Sequence, residues 1–306
     1  MALTWDQISG ITRRKFLPKL VDNIFDSNPG LERMRRKNLL KVDGGTTINQ
    51  PLAYATTSAS GVYDGSDTLN ITDNEQMTDA EYNWKFSYAS IVIKKTDELK
   101  NSGDSQVLSL VKTKTMLAEQ TLVDNWGTYF WNAGTVAKAP HGLRFLLSQS
   151  NTVGGISQSS YSWWQSQYDS SSTVVSMSAL QTQFNLASIG NDTPSVGFTT
   201  RTVYNLYYAL LQPQQRFADK QTANAGFTSL MFNSIPIIVD SHAPASHLAF
   251  INEKYLNLVI HKDDNFKMEN FVRPVNQRIR VAQIFATGNF VSSNNRMHSL
   301  FTALAS

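Results

Sequence analysis

A chain of 306 residues with 41% hydrophobic, 11% aromatic and 17% charged side chains has the apolar content of one large folded domain or two ordinary ones, and is too aromatic for disorder. It holds no cysteine, which excludes disulfides, thiol catalysis, iron–sulfur clusters and cysteine-bound zinc. The net charge of +3 is too small in itself to mark a nucleic-acid binder, no apolar run is long enough for a transmembrane helix, and Trp5 and Asp6 stand where a signal peptide needs a basic start.

The charge is unevenly spread. Residues 1–41 carry nine Lys or Arg against four acids, net +5, and residues 42–106 carry ten acids against four Lys, net −6. A basic segment followed by an acidic one can pair between copies of one chain, because complementary charge sets approach and specificity, and it equally fits a set of solvated faces. Arg33, Arg35 and Arg36 on one side and Asp64, Asp67 and Asp73 on the other are the candidate groups. The basic segment is equally suited to sequence-independent contact with DNA phosphates.

Residues 1–45 read as a helical arm. Leu17, Leu20, Val21, Ile24 and Phe25 keep helical spacing after Pro18, Asn28-Pro29-Gly30 breaks the pattern, and a second basic helical piece runs toward Gly44-Gly45. Both pieces are too short to be stable alone and need a surface to lie on.

Residues 46–93 read as one long hairpin. Ile48, Leu52 and Tyr54 alternate on the outward strand, and Tyr82, Trp84, Phe86 and Tyr88 alternate on the return strand. Ten paired residues span about 33 Å. Between the strands lies a polar, acidic loop from about Thr56 to Asp79. A two-stranded hairpin is marginal in water, so its aromatic face must pack on its own domain or on a neighbour. The four aromatics are therefore candidate subunit-interface residues.

Apolar residues from Val107 to Phe130 recur at three- and four-residue steps and predict a helix over 103–131, about 42 Å long. Leu180, Phe184 and Ala187 mark a second helix closed by Gly190. Val203, Tyr204, Tyr207, Leu210 and Leu211 mark a third, ended by Pro213. Strands are predicted at 227–232, 235–240, 247–251, 255–261, 279–286 and 297–304. Strands with interspersed helices after a long hairpin make the fold class α+β.

The sequence offers little chemistry. The five histidines form no zinc signature, and Asp240-Ser241-His242 is no triad, because consecutive residues do not converge as nucleophile, base and orienting acid. Asp64 to Glu75 has calcium-loop spacing but Leu69 at the position that needs glycine. No catalytic, cofactor-binding or metal site is predicted, and the chain reads as a non-enzyme. Trp163-Trp164 among Ser and Gln fits aromatic anchors at a loop or interface, and also a platform for a sugar face, which keeps open an alternative, a β-rich protein binding a receptor or carbohydrate. A hydrolase built around His242 is a third class.

The blocks GGTTINQPLAY (44–54), LVDNWGTYFWNAG (122–134), VGGISQSSYSWW (153–164), LLQPQQRFADKQTANAGFTSLMFNSIPIIVDSH (210–242) and TGNFVSSNNRMHSL (287–300) resemble major capsid proteins of tailed bacteriophages. The order of elements is similar to the Hong Kong 97-type capsid fold over essentially the whole chain. The resemblance implies an N-terminal arm at 1–45 and an extended hairpin, the E-loop, at 46–93. It implies a peripheral domain with a long spine helix at 94–140 and 265–306, and an axial domain at 141–264. It further implies hexamers and pentamers tiling an icosahedral shell around double-stranded DNA, assembled in the host cytoplasm and ending in the virion. A portal, a separate scaffolding protein and a cement or decoration protein are the implied partners, with no membrane and no cofactor. No lysine lies between Lys41 and Lys85, so a covalent crosslink at the loop tip is not expected. The arm begins almost at Met1, so no large propeptide is expected.

Overall fold

The computed structural model describes residues 28–100, 110–215 and 230–305. The sequence readings of a helix at Leu17–Phe25, of the first turns of the long helix and of a strand start at Phe227 lie outside these residues. Helix α1 (Pro29–Lys37) is followed by strands β1 (Leu39–Val42), β2 (Ile48–Ala53), β3 (Met77–Tyr82) and β4 (Lys85–Lys94). Then come α2 (Leu110–Phe130), α3 (Met177–Leu186), β5 (Val196–Thr199) and α4 (Arg201–Gln215). The chain ends with β6 (Ile235–Val239), β7 (Leu248–Ile251), β8 (Leu256–His261), β9 (Ile279–Ser292) and β10 (Ser299–Phe301). The mixture is α+β, as the sequence implies.

The chain divides into two compact units, and α2, β4 and β9 run through both. The larger comprises Asp26–Ser87, Asp124–Lys267 and Ala286–Ser306. Its six-stranded sheet has the order Met231–Phe232, β6, β5, β7, β10, Gln167–Asp169. β5 pairs parallel with β6 and antiparallel with β7, so Phe198 faces Ile238 and Ala249. β5 and β7 are buried throughout, the sign of strands covered on both faces. Leu180 and Phe184 of α3 and Val203 and Tyr207 of α4 pack with Ile237 and Phe250 in one apolar cluster. Ser176 caps α3, its Oγ accepting from the Ala179 amide.

A second sheet in this unit pairs β1 parallel with β8, and β8 antiparallel with β9. The last turns of α2 put Trp126 and Phe130 against Phe290 of β9, at ring distances of 5.9 and 5.4 Å, and Phe130 edge-on to Phe198 of β5 at 5.6 Å. The aromatics of the long helix are thus core. Gly288 in β9 has no room for a side chain, because a Cβ there meets the Val259 carbonyl oxygen across the ladder.

The smaller unit contains Tyr88–Val123 and Met268–Phe285. Here β4 pairs with β9, the Lys95 amide donates to the Arg278 carbonyl, and Lys114 of α2 donates to the Val92 carbonyl. Ile91 and Ile93 are buried while Tyr88 and Val92 are exposed.

Three sequence readings need correction. The hairpin has six residue pairs, Ile48↔Tyr82 to Ala53↔Met77, where ten were expected. The return strand breaks at Asn83–Trp84, and the chain resumes as β4 in another sheet. That break reverses the strand's faces: Ala80 and Tyr82 are buried before it, but Ser87, Ala89 and Ile91 after it. Second, α4 passes Pro213 and continues to Gln215, since a proline near a helix end forfeits only one hydrogen bond. Third, residues 28–45 are more than a helical arm. The piece after Pro29 buries Leu31 and Met34, and Leu39–Val42 forms a sheet strand.

Candidate assembly surfaces

Helix α1 has one apolar face and one basic face. Leu31 and Met34 are buried, and Arg33 turns toward Glu253 of the same chain. Arg33 Nε and Nη2 donate to the two Glu253 carboxylate oxygens at 2.5 and 3.0 Å, Lys37 Nζ adds a bond at 3.2 Å, and Ser195 Oγ donates at 2.9 Å. Asn38 Nδ2 donates to the Glu253 carbonyl oxygen. Burial disfavours the Glu253 charge, but the Arg33 and Ser195 hydrogen bonds and the Arg33 charge outweigh it and hold the carboxyl below its usual range. Arg35 lies over the Phe266 ring at 5.0 Å, and Arg36 pairs with Glu32 one turn away at 3.5 Å, both on the exposed side.

Arg33 is therefore committed within its own subunit, a correction to its expected pairing with an acidic loop. Sequence alone pointed elsewhere because Glu253 lies 220 residues away and carries no motif. Arg33→Ala leaves a nearly buried carboxylate without its bidentate partner and is expected to cost about 2–4 kcal/mol in urea unfolding at pH 7. Below the depressed Glu253 pKa the penalty disappears, because a protonated Glu253 no longer needs the guanidinium. An unchanged midpoint at pH 7 would show that the ion pair does not hold α1.

Asp64, Asp67 and Asp73 sit in the segment joining β2 to β3, which is extended and exposed over nearly its whole length. Asp64 and Asp67 close a local turn, the Asp67 amide donating to the Asp64 carbonyl at 2.8 Å and the Asp64 amide to Asp67 Oδ2 at 2.9 Å. Among the described residues no ion pair joins these acids to Arg33, Arg35 or Arg36, and no group of His, Asp and Glu is placed to hold a metal. The same segment exposes four large apolar residues, Val62, Tyr63, Leu69 and Ile71, with Val62 and Ile71 more than nine-tenths exposed. Apolar side chains exposed this close together make the segment a candidate contact surface. The sequence reading missed them by attending to the acids. Val62-Tyr63 and Leu69-x-Ile71 in an otherwise polar run were the available signal.

The four aromatics separate. Tyr82 is buried, its hydroxyl donating to the Ser292 carbonyl at 2.8 Å, and its desolvated phenol has a pKa well above the usual value. Trp84 is half-buried, Nε1 donating to the Gly45 carbonyl at 2.9 Å and the ring meeting His261 edge-on at 5.7 Å. Phe86 and Tyr88 remain exposed, at 73% and 64%. Tyr82 is thus a core residue and no interface candidate, and only Phe86 and Tyr88 lie free on a surface.

The histidines take structural places. His242 Nε2 lies 2.9 Å from Asp124 Oδ1, and its amide donates to buried Asp240, whose carboxyl is pushed up by desolvation. Ser241 Oγ is 3.4 Å from His242 Nδ1, at the limit of a hydrogen bond between chain neighbours. His141 stacks on Phe145 at 4.4 Å, and desolvation, with Lys85 nearby, pushes its pKa down to about 4. His298 is fully buried, accepts from the Asn252 amide through Nδ1 at 3.1 Å, and is pushed by burial down to about 3.

Both His141 and His298 stay neutral in the fold and titrate near 6.5 when unfolded, so the unfolded chain takes up their protons first. Their contribution is intact above pH 6.5 and falls by about 1.4 kcal/mol per pH unit each as pH drops toward 4. Urea midpoints measured from pH 7 to 4.5 should fall accordingly. His298→Asn, which keeps an acceptor for Asn252 but does not titrate, should flatten the slope by about one proton, and an unaltered slope would contradict this.

No catalogued protein family and no curated protein matches this sequence. Solved structures do match, over nearly the full length. The chain superposes on a chain of the cyanophage A-1(L) capsid asymmetric unit with a TM-score of 0.77 at 15% identity, covering 99% of this chain and 100% of that one. The fold is that of a phage capsid subunit. A capsid chain of a native GTA particle matches with a TM-score of 0.67 at 11% identity, again over 99% and 100%. The capsid-type fold extends to a chain of the SrpI encapsulin complex from Synechococcus elongatus PCC 7942, with a TM-score of 0.61 at 8% identity, covering 99% and 96%.

Proposed function

We propose that this chain is the major capsid protein of a tailed bacteriophage, a structural and non-enzymatic subunit. It assembles as hexamers and pentamers into an icosahedral shell enclosing double-stranded DNA. The observation that carries the reading is the match to a capsid chain over 99% of this chain and 100% of that one. In this reading residues 1–45 are the arm, 46–93 the E-loop, α2 the spine helix of a peripheral domain (94–140 and 265–306), and 141–264 the axial domain. The loop's exposed Val62, Tyr63, Leu69 and Ile71, flanked by Asp64, Asp67 and Asp73, reach a neighbouring copy. Arg35 and Arg36, exposed on α1, remain for a neighbour or for DNA phosphates, and Phe86 and Tyr88 for a neighbour. A separate scaffolding protein, a portal and a decoration protein complete the assembly, formed in the host cytoplasm.

The carbohydrate-binding alternative is disfavoured by the aromatic pair that motivated it. Trp164 is buried with its Nε1 donating to the Val153 carbonyl, and Tyr54 already stacks on Trp163. Negative-stain electron microscopy and sedimentation of the purified protein, with and without its scaffolding protein, test the proposal. Closed shells, tubes or rings of five or six are expected. A monodisperse small oligomer under both conditions would reject it.

A further inference from the structure

Tyr54 occupies a particular place in the hairpin. It comes directly after the last residue of β2, and its amide donates to the Gln76 carbonyl at 3.0 Å, the final rung before the strands part. Residues 55–76 beyond it form no ladder. The Tyr54 ring stacks on Trp163 of the 3-10 turn Ser162–Trp164, with centroids 5.1 Å apart and planes 17° from parallel. Trp163 is braced in turn by Tyr161 at 6.1 Å and by buried Trp164 at 5.6 Å.

Lower on the stem the other strand is also held. The Glu81 amide donates to the Gly154 carbonyl at 2.9 Å, and Gly154, at φ +60°, lies so close that a Cβ there would be 2.7 Å from Ala80 Cβ. The stem is therefore fixed at two heights on opposite strands, by Gly154 on β3 and by Trp163 at the far end of β2. Tyr54 and Trp163 also form part of the wall of a cleft of about 380 Å³, with Pro51, Leu52, Tyr255 and Arg296. Ile48, Leu52, Ala80 and Tyr82 are buried as well, so the stem is seated on the domain up to Leu52, and the Tyr54 stack extends that hold to the last residue before the strands part.

We infer that the Tyr54–Trp163 stack is a latch that sets the direction in which residues 55–76 leave the domain. The consequence for shell curvature rests on the proposed capsid function, but the latch itself is a property of the free subunit. Released, the end of the ribbon beyond Leu52 loosens and the loop samples more directions. Latched, it presents Val62, Tyr63, Leu69 and Ile71 in one.

The absence of cysteine allows a direct measurement, because Thr68→Cys in the loop and Ser178→Cys on α3 introduce the chain's only thiols. Spin labels at these positions in the full-length free subunit should give one narrow distance distribution. Trp163→Ala should broaden it and raise chymotryptic cleavage at Tyr63 and Leu69 about tenfold, the factor that such a stack is worth. Trp163→Phe should restore much of the wild-type behaviour. Tyr54→Ala, at a half-buried position that the core does not need, should reproduce Trp163→Ala, and the double variant should be no broader than either single one. An unchanged width in folded Trp163→Ala or Tyr54→Ala, or additive effects in the double variant, overturns the latch. If the wild-type protein forms no shells yet the width responds as described, the functional reading fails and the latch stands.

Discussion

Excising residues 57–74 and joining Thr56 to Glu75 through a short Gly-Ser link will leave a folded subunit that forms no closed shells. The fold gives up little. The excised segment contributes no buried side chain, and its hydrogen bonds, such as the Ser58 amide to Asn74 Oδ1 and Asn74 Nδ2 to the Thr56 carbonyl, are exposed and local to the loop. Shortening a flexible connection changes closure entropy only slowly, so the urea midpoint should move by less than about 1 kcal/mol. On the proposed shell function, assembly gives up much. Val62, Tyr63, Leu69 and Ile71 are each worth about 1.5–3 kcal/mol when fully buried. Half of that across one contact is about 3 kcal/mol or more, over a hundredfold in each subunit association. Light scattering and electron microscopy of excised and wild-type protein at equal concentration decide the matter. Normal shells from the excised protein would place the assembly contacts elsewhere, and an unfolded product would assign the loop to the core.

The loop and the six paired residues of its stem were legible in the sequence and the continuation of the return strand was not, and the difference lies in how each is stabilised. The loop lies between two alternating runs and is rich in Gly, Asp, Asn and Thr, a local signal. The 3.6-residue pattern of α2 is likewise local and sustained over about six turns, so that helix was readable, as were the helix marked by Leu180, Phe184 and Ala187 and the strands read at 247–251 and 255–261. The phase of β4 was not. Aromatic residues at 82, 84, 86 and 88 form one stripe in the sequence, but the two residues at Asn83–Trp84 leave the ladder and exchange the faces. Ser87 then faces inward because a small side chain with a hydroxyl is needed beneath Trp126, a requirement set by a helix residue 39 positions away. β1 was hidden for a similar reason. Leu39–Val42 is four residues long, includes Lys41, and acquires its identity only by pairing with Leu258–His261. The ion pair of Arg33 with Glu253 and the stack of Tyr54 on Trp163 are also tertiary facts. Charge segregation along the chain identified the right residue types at α1 but assigned Arg33 a partner in another copy when it has one in its own.

The stability of the larger unit should be most sensitive at Trp126. Its indole is fully buried between Phe290 and Phe266, and Nε1 donates to Ser87 Oγ at 2.8 Å. Ser87 Oγ passes the chain on by donating to the Ala286 carbonyl at 2.7 Å. One side chain thus fills the space where α2 meets β9 and completes a buried relay between α2, β4 and β9. Trp126→Ala removes one of the largest side chains buried among the described residues and opens a cavity, with an expected cost of about 3–5 kcal/mol. Trp126→Phe keeps most of the volume but leaves Ser87 Oγ without its donor, so about 1–3 kcal/mol is expected. Ser87→Ala strands both the indole N–H and the Ala286 carbonyl and should fall in the same range as Trp126→Phe. Because Trp126→Phe and Ser87→Ala break the same bond, their combination should cost clearly less than the sum of the two. Urea unfolding at constant m-value measures all four variants. Additivity, or a Trp126→Ala cost below about 1 kcal/mol, would mean that α2 is held on this unit by contacts other than the indole.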